Sequence, residues 1–593
     1  MNIPARTATV TKLFSEQDQR DHWHAEGAAD GKAPKWAKYH AKMIGEFPSP
    51  YRGGKDPLAQ QIEKFVEKID MLRPEKGGPA YLGENPALTY KYPAVKNVKI
   101  NQEMGDLDTV IDDCIKLFEG APNWGHPMTM FNVAPQANTA AIIASMLSQV
   151  FAVNCIEGES AWNVHIAELE SAGMLGNLIG WDPVKTGAIY TYGGGGCFNY
   201  GVKYGLTRVM PDIRQKGLRT DVKIICSQQA HYVQQTVTDW LGIGMDNIVH
   251  VRTDEKSNVM DLAHLEEILK DLTAKKIPVA TIICTMGTTD ANAFDPIAKV
   301  RALLDRYPNP KGFGKAILYA DAVCGWSWVY FKDYDFEKNP LEFSERILPI
   351  LKQNGQAMAE LSHADAAGID FHKMGWAPYV SSCFIYKNAE EFESIHRRGE
   401  NAYLQARTPY SPLYYTLEVS RTASGPLAGW ATLKYFGKEG MQAILGGILE
   451  SKYALVDLLD SQKDMVCVNH EDSGIVTLFR IYEKDTDAKA QFEKELTNAS
   501  SRDELVKHNK LTQAVGDKLF EWFRSGKKID GKYTPYTSYT TGFRNADYNR
   551  DGKDAEAVIY ALKSYPMNVF ITPEVMQWVL TCVHAARDEV MKA

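Results

Sequence analysis

Between residues 105 and 430, short β-branched or apolar runs alternate with stretches of helical periodicity. The runs are Ala188–Thr191, Val222–Cys226, Asn247–Val251, Val279–Cys284, Ala316–Ala320 and Tyr379–Tyr386. Strands separated by helix-length segments pair through crossover helices, so this region reads as an α/β domain around a mainly parallel sheet. In open sheets of this kind ligands bind beyond the carboxyl ends of the strands. Four runs lead directly into polar or glycine-rich text there: TYGGGGCFN, SQQAHY, TMGTTDANAFD and DAVCGW. A functional site is expected along that edge.

The flanks read differently. Residues 1–104 are polar and interrupted by Gly and Pro; they form an arm with one helix near Asp56–Leu72. Residues 105–439 form the large domain. From 440 to 593 a smaller α+β domain is expected, with a long helix (Gly440–Leu459), a strand (Gly474–Ile481) and a final helix (Pro573–Val590) around a polar insertion at 484–556. A chain of 593 residues is too long for one compact core. The net charge of −8 is spread along the chain, and no basic patch favours nucleic acid. No segment reaches the roughly 18 uninterrupted apolar residues of a membrane span, and the first residues carry no apolar signal core. Nine cysteines are scattered without a CxxC pair or zinc-type spacing, which points to reduced thiols, a cytoplasmic protein and no metal centre.

Several residues stand out. The run Gly193–Gly196 follows a strand and precedes the helical stretch Phe198–Met210, so its bare N–H groups suit an anion. It matches neither the dinucleotide fingerprint nor the P-loop; a plain flexible turn explains it equally well. Asp321 ends an apolar strand, where a carboxylate is costly unless it meets a cation or several donors. Lys373, in GIDFHKMGWAPY, sits among apolar and aromatic residues; burial is expected to lower its pKa and make the amine a carbonyl nucleophile. His231 follows a strand and offers a flat ring, although a core histidine is the commoner role. Asp547, Asn549, Asp551 and Gly552 match the opening of a calcium loop, but Val558 stands where its bidentate Glu belongs, so a solvated turn is expected.

Taken in order, a glycine turn, His231, TMGTTDANAFDP, strand-end Asp321 and the box Asp370-Phe-His372-Lys373 resemble the group II pyridoxal-phosphate-dependent decarboxylases. That family includes glutamate, aromatic amino-acid and bacterial tyrosine decarboxylases. The resemblance covers about 105–440 and, weakly, the C-terminal domain. HKMG is similar to the tyrosine decarboxylase and sphingosine phosphate lyase branches, and Trp124-Gly125-His126 to the tyrosine decarboxylase substrate-entry segment. Val419–Gly440 resembles the family's segment with Arg421 and Trp430.

The chain also departs from the pattern. Tyr192-Gly-Gly-Gly-Gly-Cys197-Phe198-Asn199 stands where Ser/Thr-Gly-Gly-Thr-Glu-Ala-Asn is usual, which loses a phosphate-binding hydroxyl. Thr236 replaces a lysine commonly found five residues after the stacking histidine, and an insertion at 330–365 lengthens the path from Asp321 to Lys373.

The resemblance implies a type I PLP-enzyme (aspartate aminotransferase-like) fold and a homodimer with sites at the subunit interface. It implies pyridoxal 5'-phosphate held as a Schiff base on Lys373, with Asp321 on the pyridine nitrogen and His231 over the ring. Thr191, Gly194, Gly195, Gly196, Cys197 and His372 are expected around the phosphate, with Thr288 a further cofactor contact. His126 and Arg421 are expected to face the substrate. Tyr403, 15 residues before Glu418 in a loop of four tyrosines, is the expected proton donor, ahead of Tyr410, Tyr414 and Tyr415. The implied reaction releases CO2 from an L-amino acid. Trp124-Gly125-His126 and HKMG lean towards an aromatic substrate, whereas His126–Asn132 resembles the glutamate enzymes. A PLP lyase or an aldehyde synthase would share the same cofactor residues.

Overall fold

A computed structural model describes residues 34–50, 56–86, 92–218, 221–254, 256–399 and 408–592. The chain divides into two compact units, one of residues 1–123 with 523–533 and one of residues 124–522 with 534–593. In the first, helix Pro57–Leu72 begins at Asp56, whose carboxylate accepts from the Leu58 N–H at 2.8 Å, with Pro at the first helical position. Lys64 pairs with Asp108 of helix Leu107–Lys116 at 2.9 Å. The unit also holds a small hairpin, formed by two of the strands numbered below.

The second unit contains a seven-stranded sheet. Its strands are β1 (Gly187–Thr191), β2 (Lys223–Ser227), β3 (Ile248–Val251), β4 (Val279–Thr285), β5 (Ile317–Asp321), β6 (Ala366–Asp370) and β7 (Ser382–Tyr386). Their order is β1-β7-β6-β5-β4-β2-β3; β7 runs antiparallel to both its neighbours and the remaining pairs are parallel. Every residue of β4, β5, β6 and β7 is buried, as expected for a sheet covered on both faces. This is the α/β architecture expected from the alternating runs. The one strand that the apolar runs do not reveal is β6: its sequence, AAGID, has one β-branched residue and no apolar run. Tertiary pairing with β5 and β7 makes it a strand.

Later in the chain come the hairpin of the first unit, β10 (Lys528–Ile529) with β11 (Lys532–Tyr533), and a separate four-stranded sheet of β8 (Met465–Cys467), β9 (Thr477–Ile481), β12 (Ser538–Thr540) and β13 (Ala561–Ser564). That sheet is wholly antiparallel, in the order β12-β13-β9-β8, and belongs to the second unit. The closing helix spans Pro573–Val590 as expected. The helical span Ser424–Asp460 is two helices joined at Gly437 (φ 56°, ψ −157°), a conformation that glycine adopts without Cβ strain, and the second of them, ending at Asp460, is the long helix expected from Gly440. Among the described residues, no helix is long and apolar enough to cross a membrane.

Helix Gly194–Val209 lies against the central strands because two of its residues have no side chain. A Cβ at Gly201 would come 2.6 Å from the Tyr319 ring, and one at Gly205 would come 2.5 Å from the Ala280 carbonyl oxygen. The second neighbour is backbone and cannot swing away. We expect Gly205→Ala to lower unfolding free energy by about 1–3 kcal/mol, the usual cost of overpacking. A urea melt with an unchanged midpoint would show that the helix is free to slide outward.

Candidate active site

The sheet register brings the distinctive residues to one edge. Asp321 pairs with Thr285 on β4 and Gly368 on β6, and Asp370 and Thr191 both pair with Ser382 on β7. The carboxyl ends of β1, β2, β4, β5 and β6 therefore open on the same side, where a doubly wound sheet binds its ligand.

At the centre is Lys373, on the turn after β6. Its Nζ lies 2.9 Å from Asp370 Oδ2 and 3.7 Å from Cys324 Sγ. Asp370 is held from other sides: the Ser382 hydroxyl donates to Oδ1 at 2.6 Å, the Trp326 indole N–H donates to its carbonyl at 3.1 Å, and His372 Nε2 stands 3.5 Å from Oδ2. Burial alone would lower the pKa of Lys373, as expected from its apolar neighbours. Cys324, Asp370 and Asp321 act the other way and outweigh burial, so the amine's pKa is raised. The expectation of a lowered pKa is corrected here, because apolar text around a lysine reveals neither Cys324 and Asp321, brought by β5 and the turn after it, nor that Asp370 turns its carboxylate onto the amine. His372 shifts downward through burial and Lys373, against the pull of Asp370, and its ring packs 4.1 Å from that of Tyr379.

Asp321 is 4% exposed, and its Oδ1 has no hydrogen-bond partner. Burial pushes its pKa up to about 6, opposed by Lys373 and reinforced by Asp370. A buried carboxylate oxygen left without a donor is costly. It is therefore the place for a cationic N–H supplied from outside the chain.

The glycine turn lies close by. The helix begins at Gly194, inside the glycine run rather than after it, with Gly193 as N-cap at φ 130°. A Cβ at Gly194 would sit 3.1 Å from Asp370 Oδ2, so only glycine lets the helix N-terminus approach the Lys373–Asp370 pair this closely. Gly195 and Gly196 continue the first turn, and Cys197 is fully buried behind it. Thr191 gives its hydroxyl to Glu418, which also accepts from Tyr200.

His231 is solvent-exposed, with its ring 4.3 Å from that of Tyr232. Thr288 is buried, accepts from the Ala293 N–H at 3.0 Å, and lines a small cavity with Cys324, Met374 and Tyr565.

His126 and Arg421 sit differently. The His126 carbonyl accepts from Asn568 at 2.6 Å, while the Trp376 indole donates to the Met567 carbonyl at 3.0 Å. Two neighbouring residues thus tie the His126 segment and the Lys373 turn together. Arg421 is buried and engaged by Glu168, at 3.1 Å for one nitrogen, and by the Cys155 carbonyl at 3.2 Å. Tyr403 lies outside the described residues.

Asp370 and Cys324 were not singled out as contacts of Lys373 from sequence. The spacing of Asp370, three residues earlier on a turn, was the available signal; for Cys324, 49 residues away, there was none.

A mainly parallel sheet with a lysine after one strand, an orphaned carboxylate at the end of the next and a glycine-opened helix N-terminus defines the class of type I pyridoxal-phosphate enzymes. Residues 90–325 match the model of the pyridoxal-dependent decarboxylase conserved domain. An L-2,4-diaminobutyrate decarboxylase of Acinetobacter baumannii is 25% identical over 222 residues, 37% of this chain and 38% of that protein. An L-tyrosine decarboxylase of Enterococcus faecalis is 24% identical over 375 residues, 57% of each chain. The alignments thus span between 38% and 57% of these two relatives. In fold, the chain is similar to Oryza sativa TDC with PLP and tryptamine, at a TM-score of 0.69 and 14% identity, covering 92% of this chain and 100% of that one. Over residues 90–325 the chain is thus similar to the pyridoxal-dependent decarboxylases, and the relatives it matches are amino-acid decarboxylases.

The matched domain is that of pyridoxal-dependent enzymes, and the residues present fit pyridoxal 5'-phosphate. Lys373 supplies an amine, and Asp321 Oδ1 is a buried acceptor without a donor. The N–H groups of Gly194 and Gly195 suit a phosphate, whereas that of Gly196 is given to the Gly193 carbonyl at 2.8 Å.

Proposed function

We propose that this protein decarboxylates an L-amino acid to the corresponding amine and CO2, with Lys373 holding the cofactor. The observation that carries the reading is the Lys373–Asp370 pair beside the orphaned Asp321 at adjoining strand ends. When bound, pyridoxal phosphate supplies an electron sink for the pair left behind as CO2 departs. Asp321 would hold a proton on the ring nitrogen through Oδ1. Asp370 takes up or shares the proton that Lys373 must lose before its amine can act as a nucleophile. His372, the glycine turn at Gly194–Gly196, Thr191 and Cys197 would hold the phosphate, chiefly through the Gly194 and Gly195 amides, while His231 would cover the ring and Thr288 would contact the cofactor. His126 contacts substrate, and Arg421 braces the substrate side through Glu168.

An aromatic, tyrosine-like substrate is favoured by Trp124-Gly125-His126, whose surroundings are themselves aromatic: the Tyr536 ring stacks on Phe131 at 4.4 Å and lies 6.2 Å from Trp124. Purified protein supplied with cofactor and each proteinogenic amino acid in turn is expected to release CO2 and amine from an aromatic one. Release from glutamate or aspartate would overturn the substrate class, and ammonia or aldehyde without amine would overturn the reaction.

We also read the protein as a homodimer. Ile143 and Leu147, on one face of helix Thr139–Val150, and Phe151, Trp162 and Leu169 are all at least 46% exposed, a concentration of apolar surface that a partner would cover. Sedimentation at micromolar concentration tests this.

The proton that replaces CO2 is assigned to Tyr403. Tyr410 donates its hydroxyl to Glu168 at 2.8 Å, which removes one competitor. Tyr403→Phe is expected to form amine slowly and, with oxygen present, to yield aldehyde and ammonia. Full amine output by mass spectrometry would move the role to another tyrosine.

A further inference from the structure

The end of β13 turns two side chains onto the loop that carries Thr288. Residues two apart along a strand share a face; Lys563 lies in β13 and Tyr565 directly follows it. Lys563 reaches Asp290 at 2.7 Å, and the Tyr565 hydroxyl donates to the Thr289 carbonyl. Both residues are buried. Burial, reinforced by Asp290 and Cys324, raises the Tyr565 phenol well above its ordinary range, so it keeps its proton and acts as a donor. The strand end that carries it is itself fixed. Lys563 and Ser564 pair with Leu478 and Thr477 of β9, and the Tyr565 N–H donates to the Met130 carbonyl at 3.1 Å. The loop it meets is closed by its own bonds. Met286 pairs with Phe294, the Gly287 N–H donates to the Ala293 carbonyl at 2.9 Å, and the Asn292 N–H donates to the Thr288 carbonyl at 2.9 Å. Those bonds set the shape of the loop, whereas its depth at the strand edge depends on what holds it from outside.

We propose that Tyr565 is a positioning residue for the cofactor, its hydroxyl holding the Thr288–Thr289 peptide at the depth where Thr288 makes its contact. This role depends on Thr288 being a cofactor contact. Tyr565, Thr288 and Cys324 line one small cavity, and Cys324 Sγ lies 3.7 Å from Lys373 Nζ. The tyrosine thus stands behind the residues nearest the amine, and acts through them. With Phe at this position the ring still fills its space, but the Thr289 carbonyl loses a donor and the loop is free to relax. Lys563 restrains the same loop only through the side chain of Asp290, whereas Tyr565 bonds its backbone directly. The effect is therefore assigned to the tyrosine.

The test compares Tyr565→Phe, Thr288→Ala and the double variant, each as the full chain freed of cofactor and titrated with pyridoxal 5'-phosphate. Tyr565→Phe is expected to weaken cofactor binding about tenfold, the upper end of what one hydrogen bond contributes. At saturating cofactor its visible circular dichroism, which reports the orientation of the bound ring, is expected to differ from the parent's. A tyrosine that only supports folding would lower the melting temperature of the cofactor-free protein and leave both of those readouts unchanged. Thr288→Ala is expected to weaken binding as well. The double variant should bind within about twofold of the weaker single variant, because the tyrosine acts through the threonine. Parental affinity and dichroism in Tyr565→Phe, alongside weakened binding in Thr288→Ala, would overturn the role of Tyr565 and leave Thr288 in place. Parental affinity in Thr288→Ala would remove Thr288 as a cofactor contact and, with it, the route from Tyr565. Losses that add fully in the double variant would show the tyrosine acting elsewhere and overturn the proposal.

Discussion

Lys373→Ala is expected to lose covalent cofactor capture and turnover together, with activity falling by about 10⁴-fold or more, the scale seen when a catalytic group that works as part of a unit is removed. The lysine is the amine at the meeting of β5, β6 and the glycine turn. Removing it also leaves Asp370 without its cation at 2.9 Å, so some loss of stability accompanies the loss of function. Lys373→Arg separates the two effects. It keeps the positive charge beside Asp370 and should melt near the parent protein, yet it cannot form the covalent bond. Borohydride treatment followed by peptide mass spectrometry reads the result; a reduced cofactor adduct elsewhere in either variant would move the site away from Lys373.

Asp321→Asn is expected to cut turnover by roughly 10²–10³-fold, about 3–4 kcal/mol of barrier, comparable with the loss of one preorganised electrostatic group. On the proposed reading the amide would not hold a proton on the ring nitrogen as a carboxylate would, so a bound cofactor would withdraw electrons poorly. Stability should move the other way in the cofactor-free protein. The folded pKa of about 6 lies above the ordinary 3.8, so the folded state binds the proton more tightly than the unfolded chain. That contribution to stability is complete below pH 4 and is lost as pH rises through 6, at a cost on the order of 3 kcal/mol at neutral pH. The neutral amide removes this dependence. Cofactor-free Asp321→Asn should thus unfold at higher denaturant than its parent at pH 7.5 and lose that advantage near pH 4. Equal melting of the two proteins at pH 7.5 would mean that Asp321 finds a partner in solution, and near-parental turnover would remove it from the ring nitrogen.

The central sheet was legible because its strands are written in short apolar, β-branched runs. Five of the six runs foreseen begin or end within one residue of β1, β2, β3, β4 and β5, and the sixth ends with β7 at Tyr386. The catalytic edge followed from the same text, since polar residues sit directly after those runs. The strand of small residues, β6, was not legible, because Ala and Gly carry almost no intrinsic strand preference. Its pairing with β5 and β7 supplies what its side chains do not.

Local sequence also marked Lys373, Asp321 and the glycine run as unusual, because each is a residue type that its own neighbours do not explain. What surrounds them was decided by tertiary structure. Cys324 reaches Lys373 across 49 residues, Glu418 takes the Thr191 hydroxyl across 227, and Arg421 meets Glu168 across 253. The sign of the shift at Lys373 shows the difference plainly. Burial could be read from the flanking apolar residues, but Cys324 and Asp321 come from β5 and the turn after it, about 50 residues away, and a Coulomb interaction depends on distance in space rather than along the chain. Sequence thus determined which residues are chemically out of place and on which edge of the sheet they emerge. Only the folded register decided which of them touch, and therefore which charges they carry.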